Sequence, residues 1–182
     1  MKKLFFGALT LVCATVFVAC GEKTPGEPSL IGKWVSDTVV KNEDKGVASQ
    51  LNIIEFKEDS TMTRDMKMSF SMEEKGMKMV LPFEVGYNAK ISIADHKIIC
   101  TGDSASFHFK MEKDSVKVTS EDPTTQALAE KMITSLVKNA ENEFGGKIKE
   151  GAMTTDTISY SFEGEVLKMV SDGDTLVLRR AK

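Results

Sequence analysis

Between Met62 and Tyr87 apolar and polar side chains alternate so regularly that only extended strands can gather each kind on one surface. Met62, Met66, Met68, Phe70 and Met72 share one face, interrupted by Arg64, while Thr63, Asp65, Lys67, Ser69 and Ser71 share the other. A second run places Met77, Met79, Leu81, Phe83, Val85 and Tyr87 together. The polar stretch Glu73-Glu74-Lys75-Gly76 reads as a four-residue turn, which sets Met72 opposite Met77, Phe70 opposite Met79, Met68 opposite Leu81 and Met66 opposite Phe83. A slip of one residue would turn one strand's apolar set into water, so the pairing is strongly constrained.

The same grammar recurs toward the end of the chain. Ile91 and Ile93 meet Ile98 and Cys100 across a turn at Asp95-His96, and Phe107, Phe109 and Met111 meet Val116 and Val118 across residues 112–115. Ile158, Tyr160 and Phe162 meet Leu167 and Met169 across Glu163-Gly164. Leu167 and Met169 in turn meet Leu176 and Leu178 across Asp172-Gly173, a pair suited to the positive φ angles of a type I′ turn. One segment breaks the pattern. Leu128, Met132, Ile133, Leu136, Val137 and Ala140 recur at spacings of three and four, which predicts one amphipathic helix over about 124–144, entered at Pro123 and ended by Gly145-Gly146. Consecutive hairpins with one apolar face hide it by stacking as a sandwich or closing into a barrel, and the up-and-down order favours the barrel. The expected fold is mainly β, an antiparallel barrel with one inserted helix.

The first nineteen residues obey different rules. Met1-Lys2-Lys3 precedes an uncharged run from Leu4 to Ala19, short of the about 20 residues of a spanning helix and lacking the polar face of a core helix. Residues 1–19 therefore read as a secretory signal peptide. Their end, Phe17-Val18-Ala19-Cys20, resembles the lipobox of bacterial lipoproteins. That resemblance implies cleavage before Cys20, acylation of the cysteine (the palmitate type of modification) and attachment to a membrane, each buried methylene contributing about 0.8 kcal/mol. Gly21 stands where an aspartate would signal retention in the inner membrane, so the outer membrane of the cell envelope is the expected location. Residues 20–29, with Pro25, Gly26 and Pro28, form a tether, and 30–182 the folded domain.

Leu30-Ile31-Gly32-Lys33-Trp34 resembles the opening Gly-x-Trp strand of the lipocalin-like family, and Phe56-Lys57-Glu58-Asp59-Ser60-Thr61 resembles the second-strand-and-turn pattern of its bacterial lipoprotein branch. In that family a late arginine packs on the opening tryptophan and helps close the barrel bottom. Arg180 has the strand parity of Leu176 and Leu178, so the resemblance implies barrel closure by Gly32, Trp34 and Arg180.

Composition narrows the function classes. The chain carries a formal net charge of −3, more negative once Lys2 and Lys3 leave, and shows no basic patch interleaved with aromatics, so nucleic acid is not an expected partner. With Cys13 in the signal peptide and Cys20 acylated, Cys100 reads as a small apolar strand residue. There is no Gly-x-Ser-x-Gly, His-Glu-x-x-His, glycine-rich phosphate loop or paired-cysteine spacing, and His96 and His108 have no evident catalytic partners. Neither enzymatic activity, a cofactor nor a resident metal is expected. The crowding of Met62, Met66, Met68, Met72, Met77 and Met79 supports an adaptable packed core, a cavity for a small apolar ligand, or capture of Cu(I) or Ag(I) by thioethers. The expected function is a membrane-anchored lipoprotein binding a small hydrophobic ligand in the barrel, lined by Met62, Met66, Met68, Phe70, Met72, Met77, Met79, Leu81, Phe83, Val85 and Tyr87. The alternatives are a non-catalytic envelope protein acting through its surface on a protein or glycan partner, and metal handling by methionine.

Overall fold

Each alternating stretch becomes a strand because one face finds a shared interior and the other finds water. The computed structural model describes residues 28–43, 46–74, 76–111 and 113–182, so the expected signal segment, Cys20 and most of the tether lie outside the described residues. Among the described residues the strands are β1 (Gly32–Ser36), β2 (Val39–Glu43), β3 (Gly46–Phe56), β4 (Thr61–Glu74), β5 (Met77–Ala94), β6 (Lys97–Gly102), β7 (His108–Lys110), β8 (Lys117–Ser120), β9 (Asp156–Glu163), β10 (Val166–Ser171) and β11 (Asp174–Arg180). An α-helix, α1 (Pro123–Met153), lies between β8 and β9. The order β1-β11-β10-β9-β6-β5-β4-β3 is antiparallel throughout, and β1 pairs again with β3, so eight strands close into a barrel. The fold is the expected one, mainly β with, among the described residues, a single α-helix.

The closed end is built around Trp34. Its side chain is wholly buried, its Nε1–H donates to the Leu30 carbonyl at 2.8 Å, and its ring lies 5.9 Å from that of Phe162. Taking an indole out of water removes about 150–250 Å² of surface, on the order of 5 kcal/mol of gross stabilisation. The Arg180 guanidinium covers the ring at 4.5 Å from its centroid and donates to the carbonyls of Ile31 and Ser29. Gly32, at φ +124°, leaves room for this arginine, because a Cβ there would lie 2.5 Å from its Nη1.

Three local expectations are corrected. Glu74 pairs with Met77 and Gly76 takes φ +75°, so the hairpin tip is tighter than a four-residue turn. Met72 therefore faces Met79, Phe70 faces Leu81, Met68 faces Phe83 and Met66 faces Val85. Each partner moves by two residues, which leaves the faces unchanged and is invisible to a period of two. Second, Phe107 to Met111 does not form a hairpin with Val116 and Val118. β6, β7 and β8 instead lie end to end along β5, with a 3-10 turn at Lys113–Ser115 between the last two. At 18 residues, β5 outreaches any one of these short neighbours, and an edge left bare would invite intermolecular pairing.

The third correction is the helix end. α1 passes through Gly145-Gly146 and stops only at Met153. Gly145 is buried against Phe109, whose Cγ would lie 3.3 Å from an added Cβ, so this glycine serves close approach instead of termination. At its start, Asp122 accepts the N–H groups of Thr124 and Thr125, and the Gln126 amide ties the first turn to Ser120 and Val118 of β8. Ile133, Val137 and Ala140 then pack over Met77, Met79 and Leu81, forming a second core with Met111 and Val118. Ile148, Ala152 and Met153 reach the barrel core itself. Leu128 and Met132, expected on the packed stripe, are instead 57% and 58% exposed.

Trp34→Ala is expected to destabilise the fold by about 3–5 kcal/mol, read as a lower midpoint of urea unfolding. Gly146 has open space where a Cβ would go, so Gly146→Ala should stabilise the protein, by about 0.5–1 kcal/mol. Gly102→Ala should do the opposite, because its Cβ would collide with the Ala152 carbonyl oxygen where α1 meets β6; thermal melts of the two variants check the pair.

A candidate ligand cup at the open end of the barrel

The barrel wall parts because of one extra residue. Val35 pairs with Ile53 and Val39 with Gln50, so four steps from β1 to β2 match three along β3. This is a β-bulge at residues 36–38. Ser36, itself buried, accepts the N–H of Asn52 on its hydroxyl at 2.9 Å, so no buried donor is stranded there. Pairing of β1 with β11 reaches Ser36 opposite Leu178; above that point β2 stays with β3, and β11 stays with β10.

The seam opens into a cup of about 360 Å³ lined by Val39, Gln50, Asn52, Ile54, Arg64, Asp156, Ile158, Met169, Ser171, Asp172, Asp174, Thr175 and Leu176. Ile54 pairs with Trp34 on one side and Arg64 on the other, so the Arg64 backbone stands level with the sealed floor. Its Nη2 donates to Asn52 Oδ1 at 3.0 Å, and the same oxygen receives Gln50 Nε2 at 3.1 Å. Gln50 Nε2 also lies 3.5 Å from Met66 Sδ. The Nε–H of Arg64 is buried and has no partner. Across the cup, Ser171 Oγ donates to Asp156 Oδ2 at 2.9 Å. Burial, reinforced by the Asp156 carboxylate, pushes the neighbouring Cys100 thiol above its ordinary range and keeps it neutral. The cup thus joins an apolar wall of Ile54, Ile158, Met169 and Leu176 to a polar base of Arg64, Asn52 and Gln50.

Comparison with known protein families and with characterised proteins finds no match to this chain.

None of the eleven side chains expected to line a cavity borders this cup. Met62, Met66, Val85 and Tyr87 are buried in the barrel core, with Met68 and Phe83 partly buried against it. Met77, Met79, Leu81 and the other side of Phe83 pack around the second core under α1. Phe70 and Met72 are half-buried on the hairpin arm. Packing uses this face because the floor and the helix both rest on it. Gly32, Trp34 and Arg180 come together at the opposite, closed end. Gln50, Asn52 and Asp156 were not anticipated from sequence. The available signal was Arg64, the polar residue on an otherwise apolar face, and Gln50 and Asn52 at the inward parity of Ile54 and Phe56. Among the described residues no cluster of three His, Cys, Asp or Glu side chains is placed to hold a metal ion.

Replacing a buried methionine should therefore cost more than replacing a half-buried one. Met62→Ala is expected to lose about 2–5 kcal/mol, while Met72→Ala should lose roughly 1 kcal/mol, both measured by chemical denaturation.

Proposed function

We propose that this chain is an envelope lipoprotein, anchored through Cys20, that holds a small ligand in the open end of its barrel. The cup carries this reading. It combines a volume of about 360 Å³, within the size range of small-molecule sites, with an apolar wall and a few convergent polar groups. The apolar ligand expected from sequence becomes an amphiphilic one: its body lies on Ile54, Ile158, Met169 and Leu176, and its polar end meets Arg64, Asn52 and Gln50.

The anchor fits the same picture. Arg180 grips the carbonyls of Ser29 and Ile31 at the closed end, so the tether joins the barrel opposite the cup. Nine steps of extended chain from Cys20 to Ser29 span at most about 30 Å. In this reading the sealed end faces the membrane and the mouth faces away from it.

A second reading, action through the outer surface on a protein or glycan partner, is favoured by Leu128 and Met132, apolar and exposed side by side on α1. Native mass spectrometry of protein extracted from its host membranes separates the two. The ligand reading expects a bound small molecule released on denaturation; ligand-free preparations whose melting ignores added lipids and short-chain amphiphiles would remove it in favour of the surface reading. Metabolic palmitate labelling is expected for the native chain and not for Cys20→Ala.

A further inference from the structure

We infer that Arg64 is the seat for an anionic end group, so that the cup selects small amphiphiles bearing a carboxylate. This inference rests on the ligand-binding reading and adds to it the class of ligand.

A guanidinium offers five N–H donors and keeps its charge at any accessible pH. Inside the barrel the protein engages Arg64 through Nη2 and Asn52 Oδ1, while the buried Nε–H has no acceptor. No carboxylate of the described residues forms an ion pair with it. Its neighbours on the same face of β4 are Met62 and Met66, both buried, so a methionine at position 64 would continue the apolar face. A charge held against such a wall without an ion-paired carboxylate is destabilising, and a buried polar atom left unpartnered points to a role outside packing.

A carboxylate completes this one. Its two oxygens match the guanidinium fork, and such charge-assisted bonds are among the strongest available in a partly dry site. Of the acidic residues in the lining, Asp156 accepts a hydrogen bond from Ser171, and Asp172 and Asp174 are exposed at the rim, where salt screens them. A cup of about 360 Å³ holds about a dozen water volumes, which favours a short chain over a long-chain fatty acid.

The test is calorimetric titration of the purified full chain in a non-ionic detergent with hexanoate and, separately, its neutral isostere hexanamide. The wild type should bind hexanoate at least about tenfold more tightly. Arg64→Met should reduce that preference to less than about threefold while melting no lower than the wild type, because an unsatisfied charge has gone; Arg64→Lys should keep part of the preference. Equal binding of both probes by the wild type overturns the role of Arg64 and leaves the ligand cup standing. Binding of neither probe overturns both. An Arg64→Met protein that melts lower and loses both probes alike makes Arg64 a structural residue and overturns the inference as well.

Discussion

β1, five residues long, pairs with β11 on one side and β3 on the other and so closes the strand order on itself. Without its double pairing, to β3 and to β11, the strands would form an open sheet with an apolar face and two bare edges. The indole of Trp34 is what makes so short a seam hold. It fills the interior at the level where Ile54 and Arg180 flank it across the ladder, and the guanidinium of Arg180 shields its outer side. The closed end thus places the largest fully buried side chain among the described residues where the sheet must meet itself.

From that seam the two ends of the barrel diverge. Below, Trp34, Phe56, Met62, Leu167 and Leu178 form an apolar, buried floor. Above, the bulge at residues 36–38 parts β2 from β11, and the interior turns polar within two residues along β3, from Ile54 to Asn52. The helix occupies the other side of the mouth, where β5 outruns the barrel and needs cover. One fold therefore contains a dry floor, a helix-packed flank and a half-polar cup, each traceable to where a strand gains or loses a neighbour.

Whether a feature of this fold is legible in the sequence depends on whether its signal is local. Strand parity is local, so the inward faces of β4, β5, β9, β10 and β11 and the inward parity of Arg180 follow from the order of residues. The turns at Asp95-His96 and Asp172-Gly173 are local too, since their residues tolerate the positive φ that a tight hairpin requires. By contrast, the in-line arrangement of β6, β7 and β8 depends on the distant edge of β5, and no spacing within 107–118 reports it. Gly145 is ambiguous in the sequence because the same residue type ends helices and admits close neighbours; Phe109 decides between them. The cup escaped for a similar reason. Arg64 stood out as an exception to its face, but its company of Gln50, Asn52, Asp156 and Ser171 comes from three other strands that only the closed register brings together.

Amide hydrogen exchange of β1 probes that closure directly. In a closed barrel the β1 amides exchange only through global unfolding, with the same free energy and the same denaturant dependence as the slowest amides of β4 and β5. Exchange of β1 orders of magnitude faster than that, with β3 and β11 exchanging from unprotected edges, would mean that the sheet never closes and that neither the floor nor the cup exists as described.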